Sequence, residues 1–259
     1  MGGHYDRAAR LADILALITD WSPGGLAPFD QLHSGGLSAS RLLARLAKMT
    51  PGEDVLDAGC GVGGSARMLA SEFGSVVTGV DLSRAYIEIA RAVMHKTDTP
   101  GRFECADLLD LPFADASFDV IWSQHAATNI RDKSRLYGEL KRVLRRGGRL
   151  AFHDLRKGAS SALPHMPLPF ADRFDESFLS DSVEQRGILT GLGFRELLWQ
   201  DRTAATVAFF CNLPEPDASG DKLGLQLLLG PGYPDMLANI KRNFAEGRLG
   251  AAMGVYVLD

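Results

Sequence analysis

The chain has 259 residues, 46% of them hydrophobic, enough to bury one full core with embellishments. Its formal net charge of −4, from 28 Lys and Arg against 32 Asp and Glu, argues against a protein that grips nucleic-acid phosphates through clustered cation. Nothing approaches eighteen consecutive apolar residues, so no segment is expected to span a membrane.

The opening MGGHYDRAARLADILALITDW is charged within its first seven residues and lacks the apolar run of a signal peptide. Leu11, Ile14, Leu15 and Ile18 share one helical face, predicting a helix over Asp6 to Asp20. WSPGGLAPFD breaks that pattern with two prolines and two glycines. After HSGG a second helical pattern runs from Leu37 to Met49 and stops before Pro51. Residues 1–36 read as a helical cap or lid, and residues 37–259 as the main domain.

From there strands and helices alternate. DVLDAG is a short apolar strand ending in glycine, followed by a helix over Gly64 to Phe73. VVTGVDL leads into a helix over Arg84 to Lys96, and RFECADL and FDVIWSQ are two further strands. A helix over Lys133 to Leu144 ends at RRGG, where glycine is available for the cap, before the strand RLAFHDL. Apolar strands alternating with amphipathic helices predict a doubly wound α/β sheet, mostly parallel and covered on both faces. The basic run LKRVLRRGGRL reads as a solvated helix face with its cations near the helix C-terminus. Beyond Leu155 the period fades. Residues 156–180 and 204–248 read as insertions covering an acceptor, flanking a helix over Asp181 to Leu192, the strand GFRELLWQDRT and the terminal strand AAMGVYVLD. The three cysteines, Cys60, Cys105 and Cys211, show no metal-ligand spacing and are expected to be buried and reduced in a cytoplasmic protein.

VLDAGCGVGG, Val55 to Gly64, carries the chemistry. Its glycines fit either a dinucleotide or S-adenosylmethionine, and a bare glycine pattern decides nothing. The acids around it bear on the choice. Asp57 precedes the loop, where it suits an ammonium group and would repel a pyrophosphate. Asp81 ends the second strand, placed for both ribose hydroxyls; both cofactor classes want this acid, so it does not discriminate. Asp107, after the third strand, can accept from an adenine amino group. Acids on successive strands thus follow S-adenosylmethionine from methionine through ribose to base.

VLDAGCGVGG, GVDLS, ADLLDLPFADASFDVIWSQ and LKRVLRRGGRLAFHD together resemble the successive motifs of class I S-adenosylmethionine-dependent methyltransferases. FDQLHSGGLSASRLLA and WSQHAATNIRDKSRLYGELKRVLRRGGRLAFHD are similar to the small-molecule group that includes sarcosine/dimethylglycine N-methyltransferases. The resemblance implies a Rossmann-like seven-stranded sheet whose last strand is antiparallel, its final hairpin split here by the Ala204 to Arg248 insertion. It implies that Gly59, Gly61 and Gly63 approach the cofactor, with Leu82 and Leu108 beside it, and that Gln124 and His125 lie beside the transferred methyl. No metal is implied.

The acceptor is less legible. An oxygen or ammonium nucleophile must lose a proton, and a histidine suits that task. His125, after the fourth strand, is the better candidate base and His153 the second. His33, His165 and Tyr5 lie in segments able to fold over the site. Leu163, Met166, Leu168 and Phe170, with LGLQLLLG, supply apolar surface for pocket, core or subunit contact, and Arg156 and Arg173 are candidates for an acceptor carboxylate or phosphate. The Asn/Asp-Pro-Pro-aromatic signature of base methylation is absent, as is an acidic metal cluster of the catechol type. Methyl transfer to O, N or C of a small metabolite leads, with secondary-metabolite tailoring favoured and a glycine/sarcosine/dimethylglycine-type N-methyltransferase as alternative. A nicotinamide oxidoreductase would need a Tyr-x-x-x-Lys pair or a substrate domain, and neither is visible. A non-catalytic cofactor-binding protein is the third class, and a homodimer stays open.

Overall fold

The computed structural model describes residues 15–213 and 224–259. Most of the helix expected over Asp6 to Asp20 lies outside the described residues, although residues 15–17 are helical. Beyond that segment, two helices precede the first strand among the described residues. In α1 (Pro23–Asp30) the Ser22 hydroxyl accepts from the Gly25 N–H at 3.1 Å, filling one of the orphan donors of a helix start. A loop over residues 31–35 then leads into α2 (Gly36–Leu46).

The alternating region follows the sequence pattern closely: β1 (Asp54–Ala58), α3 (Gly64–Phe73), β2 (Val76–Asp81), α4 (Arg84–Lys96), β3 (Arg102–Cys105), β4 (Phe118–Gln124), α5 (Lys133–Val143) and β5 (Leu144–Lys157). After the irregular stretch come α6 (Ser182–Gly191), β6 (Phe194–Asp201), α7 (Thr203–Cys211), α8 (Gln226–Leu229), α9 (Tyr233–Ala245) and β7 (Leu249–Leu258). Asp181 starts α6 by accepting from the Val183 and Glu184 N–H groups at 2.9 and 2.8 Å. The seven strands form one sheet in the order β3-β2-β1-β4-β5-β7-β6. Only β7 is antiparallel to its neighbours, pairing with both β5 and β6, so the last two strands form the expected hairpin, with three helices between them among the described residues.

Several boundaries differ: WSPGGLAPFD, read as a break, holds α1, α2 ends at Leu46 instead of Met49, and the end of α5 moves. α5 stops at Val143, and Leu144 is already extended at φ −83° and ψ 133°, so RRGG lies in the strand and caps nothing. The basic run is likewise no free helix face. Arg142 pairs with Glu139 and Asp115, Arg145 with Asp54 and Asp119, and Arg149 with Glu53. Acids at the starts of β1 and β4 hold Arg145 and Arg149, which favours an extended chain beside them over another helical turn. The cysteines also differ: Cys60 is buried, but Cys105 and Cys211 are exposed because one ends the edge strand β3 and the other ends α7.

Each face of the sheet is covered by its own core. Leu43, Leu69, Ile87 and Trp122 pack on one side, and Leu56, Ile121, Leu140 and Tyr256 on the other. Two smaller clusters close the end of the sheet where the strands finish. Phe29, Val62 and Leu228 seat α1 and α8, while Leu168, Met236, Ile240 and Phe244 seat the irregular stretch against α9. Burying each such side chain stabilises the fold by about 1.5–3 kcal/mol. Phe29→Ala is the truncation that would most directly loosen the α1 cover, by about 3–5 kcal/mol.

Candidate active site

A cavity of about 250 Å³ opens at the carboxyl ends of β1, β2 and β4. Strand order reverses between β1 and β4, and ligands of open α/β sheets bind at such a reversal. The cavity has two chemically distinct ends, joined at a group of histidines.

The first end is acidic. Asp57, Asp81 and Asp107 all line it, as do Gly59, Gly61, Leu82 and Leu108. Asp57 is 2% exposed and its Oδ2 makes no hydrogen bond. Burial, with the neighbouring Asp81 charge, raises the Asp57 carboxyl to about 7, although the Ala66 N–H and Arg67 draw it back. Asp81 accepts from the Gly61 N–H through Oδ2 and from the Ser83 N–H through Oδ1, both at 2.9 Å, so it holds the glycine loop as well as facing the cavity. Burial raises its pKa too, against the pull of those N–H groups. Asp107 lies two residues beyond β3 and accepts from the Leu109 N–H at 2.9 Å.

The glycines are fixed by close approach. A Cβ on Gly59, at φ +83°, would stand 2.4 Å from the Ala126 Cβ, and one on Gly61 would meet the Leu32 side chain at 2.9 Å. Gly63 is different: it abuts Phe103 and Arg67 at the start of α3 and does not line the cavity. Gln124 ends β4 with its Oε1 accepting from Ser65 Oγ at 2.7 Å, Trp122 Nε1 at 2.9 Å and Ser40 Oγ at 3.1 Å. Its amide is therefore held rigidly where the two ends meet.

His125 follows directly, at φ +56°. A non-glycine residue in that region is strained, and here its N–H donates to the His153 carbonyl at 2.8 Å while its own carbonyl accepts from Thr128 Oγ1 at 2.9 Å. His125 lines the cavity; His153 is 2% exposed, lies in β5 behind it, and does not. His33 from the loop before α2 completes the group, with ring centroids 5.1 to 6.2 Å apart. Burial and the other imidazoles push the His125 pKa well down, and burial holds His33 near 4 and His153 near 3. All three rings are neutral at pH 7.

The second end is apolar. Pro169, Phe170, Phe209, Phe210, Leu229 and Tyr233 line it, drawn from the irregular stretch and from α7, α8 and α9. No Lys or Arg is among the described residues that line the cavity. Arg156 pairs with Asp201 and Arg173 with Asp175 at 2.8 Å, and neither reaches the cavity. Leu168 is core, Met166 packs beside it, and Leu163 is 60% exposed. His165 pairs with Glu246 at 2.9 Å, away from the site, and Tyr5 lies outside the described residues. A buried ion pair, Arg67 to Asp30 at 2.6 Å, ties α1 to the helix after the glycine loop.

Sequence reasoning missed Ser34, Thr206, Phe209, Phe210 and Tyr233. Ser34 had a signal, as the neighbour of His33 in the turn HSGG; the others stand in a helical block with no legible face. Among the described residues, no group of three or more His, Cys, Asp or Glu is arranged to hold a metal, and no helix is long and apolar enough to cross a membrane. The acidic end fits a cationic cofactor with an ammonium and a diol: Asp57 offers a buried carboxylate oxygen without a partner, and Asp81 keeps lone pairs beyond its two backbone bonds.

Residues 56–152 match the Methyltransf_11 family model, a methyltransferase domain. The chain is 37% identical over 161 residues to the methyltransferase GfsG of Streptomyces halstedii, covering 60% of this chain and 57% of the relative. It is 32% identical over 168 residues to sarcosine/dimethylglycine N-methyltransferase of Halorhodospira halochloris, covering 64% and 60%. The chain therefore spans under two thirds of the length of either relative. Among solved structures, phosphoethanolamine N-methyltransferase 2 of Haemonchus contortus, in complex with phosphomonomethylethanolamine and S-adenosylhomocysteine, superposes with a TM-score of 0.75 at 22% identity, covering 96% of this chain and 60% of that one. That likeness is one of fold. The domain match, the relatives and the sheet order agree in making the chain similar to class I S-adenosylmethionine-dependent methyltransferases.

Proposed function

We propose that this protein binds S-adenosylmethionine and methylates a hydroxyl group of an uncharged, largely apolar small molecule, with His125 as the proton acceptor. The observation that carries the reading is the contrast inside one cavity: Asp57, Asp81 and Asp107 at one end, with the ion-paired Asp30 also in the lining, and at the other end aromatic and aliphatic side chains with no cation among the described residues. A carboxylated or phosphorylated acceptor would lose its hydration there without a charged partner, at a cost of several kcal/mol. That weighs against a glycine- or sarcosine-type amine and favours tailoring of an apolar metabolite.

In this reading Asp57 holds the ammonium, Asp81 the ribose hydroxyls and Asp107 the adenine amino group, with Leu82 and Leu108 beside the base and Gly59 and Gly61 allowing close approach. Gly63 supports the loop from behind. The bound cofactor supplies an electrophilic methyl on a sulfonium. Gln124 and His125 border the point where the acceptor enters, and the protein chiefly aligns nucleophile and methyl. A neutral His125 takes the hydroxyl proton as the oxygen–methyl bond forms. His153, shut off from the cavity, cannot touch the acceptor and supports His125. The described part of residues 1–36 acts as a cap on the 37–259 domain, with 156–180 and the described parts of 204–248 covering the acceptor. The same proposal sets the chain in a reducing cytoplasm, where exposed Cys105 and Cys211 persist as thiols, acting on a metabolite rather than nucleic acid; a homodimer is compatible with it.

The test is transfer of labelled methyl from S-adenosylmethionine to matched acceptors: one apolar phenol or alcohol scaffold, the same scaffold bearing a carboxylate, and the same bearing a phosphate. Methyl ether from the neutral scaffold alone is expected. Preference for either anionic version would overturn the reading.

A further inference from the structure

Ser34 sits in the loop between α1 and α2 and is 1% exposed, yet its side chain borders the cavity. Its Oγ lies 3.1 Å from His125 Nε2 and 3.5 Å from both His153 Nε2 and Thr206 Oγ1. One hydroxyl therefore joins the N-terminal loop, the turn after β4, strand β5 and helix α7. A hydroxyl has one proton to give and two lone pairs, so its three contacts fix the protons around it.

His153 constrains the arrangement first. Its Nδ1 is buried without a partner. An orphaned N–H is the rarer and costlier defect, so the His153 proton belongs on Nε2, facing Ser34. Two arrangements then satisfy the hub. In one, Ser34 accepts from both imidazole Nε2–H groups and donates to Thr206. In the other, Ser34 donates to His125 Nε2, and neither nitrogen of His125 is left free to act as a base.

We propose that Ser34 is a positioning residue that accepts from His125 Nε2–H and so fixes the tautomer with a bare Nδ1. This rests on the reading of His125 as the proton acceptor and supplies what that reading lacks, a group that selects which nitrogen is basic. The balance is simple. The acceptor O–H bond breaks and its proton goes to His125 Nδ1, while the oxygen–methyl bond forms and the sulfur–methyl bond breaks. The positive charge thereby passes from sulfur to the imidazole, whose Nε2–H remains on Ser34. The same arrangement ties the acceptor-covering helix α7 to the base through Thr206. The ionisable groups facing His125 are His33 from the α1–α2 loop and His153 from β5, with the buried Asp154 carboxyl beneath its turn.

The experiment is 15N NMR of histidine-labelled protein, with and without S-adenosylhomocysteine, on the wild type, Ser34→Ala and Ser34→Thr. His125 in the wild type and in Ser34→Thr should be the Nε2–H tautomer, and Ser34→Ala should mix the two. Turnover should fall roughly tenfold or more in Ser34→Ala at unchanged acceptor KM and unchanged S-adenosylhomocysteine affinity, with recovery in Ser34→Thr. An Nδ1–H tautomer in the wild type, or one that Ser34→Ala leaves unmoved, would overturn the inference. Full turnover in His125→Gln would overturn the base reading instead, so the two failures are distinguishable.

Discussion

The two ends of the cavity are built by different rules. The acidic end is made by backbone: Asp57, Asp81 and Asp107 stand at or just past three successive strand ends, and the glycines beside them are fixed by φ and by close neighbours. The apolar end is made by side chains from the irregular stretch and from α7, α8 and α9, seated on a cluster that includes Leu168, Met236 and Phe244. An end set by backbone tolerates little change and keeps one ligand. An end set by side chains on covering helices can be recut without disturbing the sheet.

Substitutions should separate the ends. The largest effect is expected at their junction. His125→Ala should lower turnover by about a hundredfold or more while leaving S-adenosylhomocysteine affinity intact, read from steady-state kinetics beside calorimetry. Near-normal turnover would mean that His125 only shapes the wall. Asp81→Ala should weaken S-adenosylhomocysteine binding roughly tenfold to hundredfold, since it removes the proposed ribose partner and the carboxylate that holds the Gly61 N–H. An unchanged Kd would break the assignment of the acidic end.

Phe210→Ala belongs wholly to the other end. It should raise acceptor KM about tenfold through lost apolar contact and leave the cofactor Kd alone; a Kd that moves with it would show the ends to be coupled. The smallest effect is that of pH. Asp57 has its pKa raised to about 7, and an ammonium needs the carboxylate form. Binding affinity should thus be level above about pH 7 and fall by at most about tenfold per pH unit below it. Affinity that rises on acidification would contradict the role given to Asp57.

How legible each end was in the sequence follows the same division. Strand, glycine and acid come in a fixed order, so VLDAGCGVGG, GVDLS and the Asp107 turn could be read as a line of cofactor contacts. His125 was legible because it directly follows a strand end. Gly63 was misplaced by one layer, because spacing alone does not tell a glycine facing the cavity from one packed against Phe103. RRGG misled because glycine after a basic turn is what a helix cap looks like, and only the acids at the starts of β1 and β4 reveal an extended chain. The aromatic wall was invisible for a plainer reason. TAATVAFFC, the sequence of α7, is apolar nearly all round, so nothing in it says that Phe209 and Phe210 face a cavity. Ser34 and Thr206 meet only through the tertiary fold.

The central claim is that the acidic end takes S-adenosylmethionine and no other nucleotide cofactor. Calorimetric titration of the purified chain with S-adenosylhomocysteine, and in parallel with NADH, tests it most directly. Micromolar binding of S-adenosylhomocysteine and none of NADH is the expected result. Binding of NADH alone would contradict it and return the acids at the strand ends to a purely structural role.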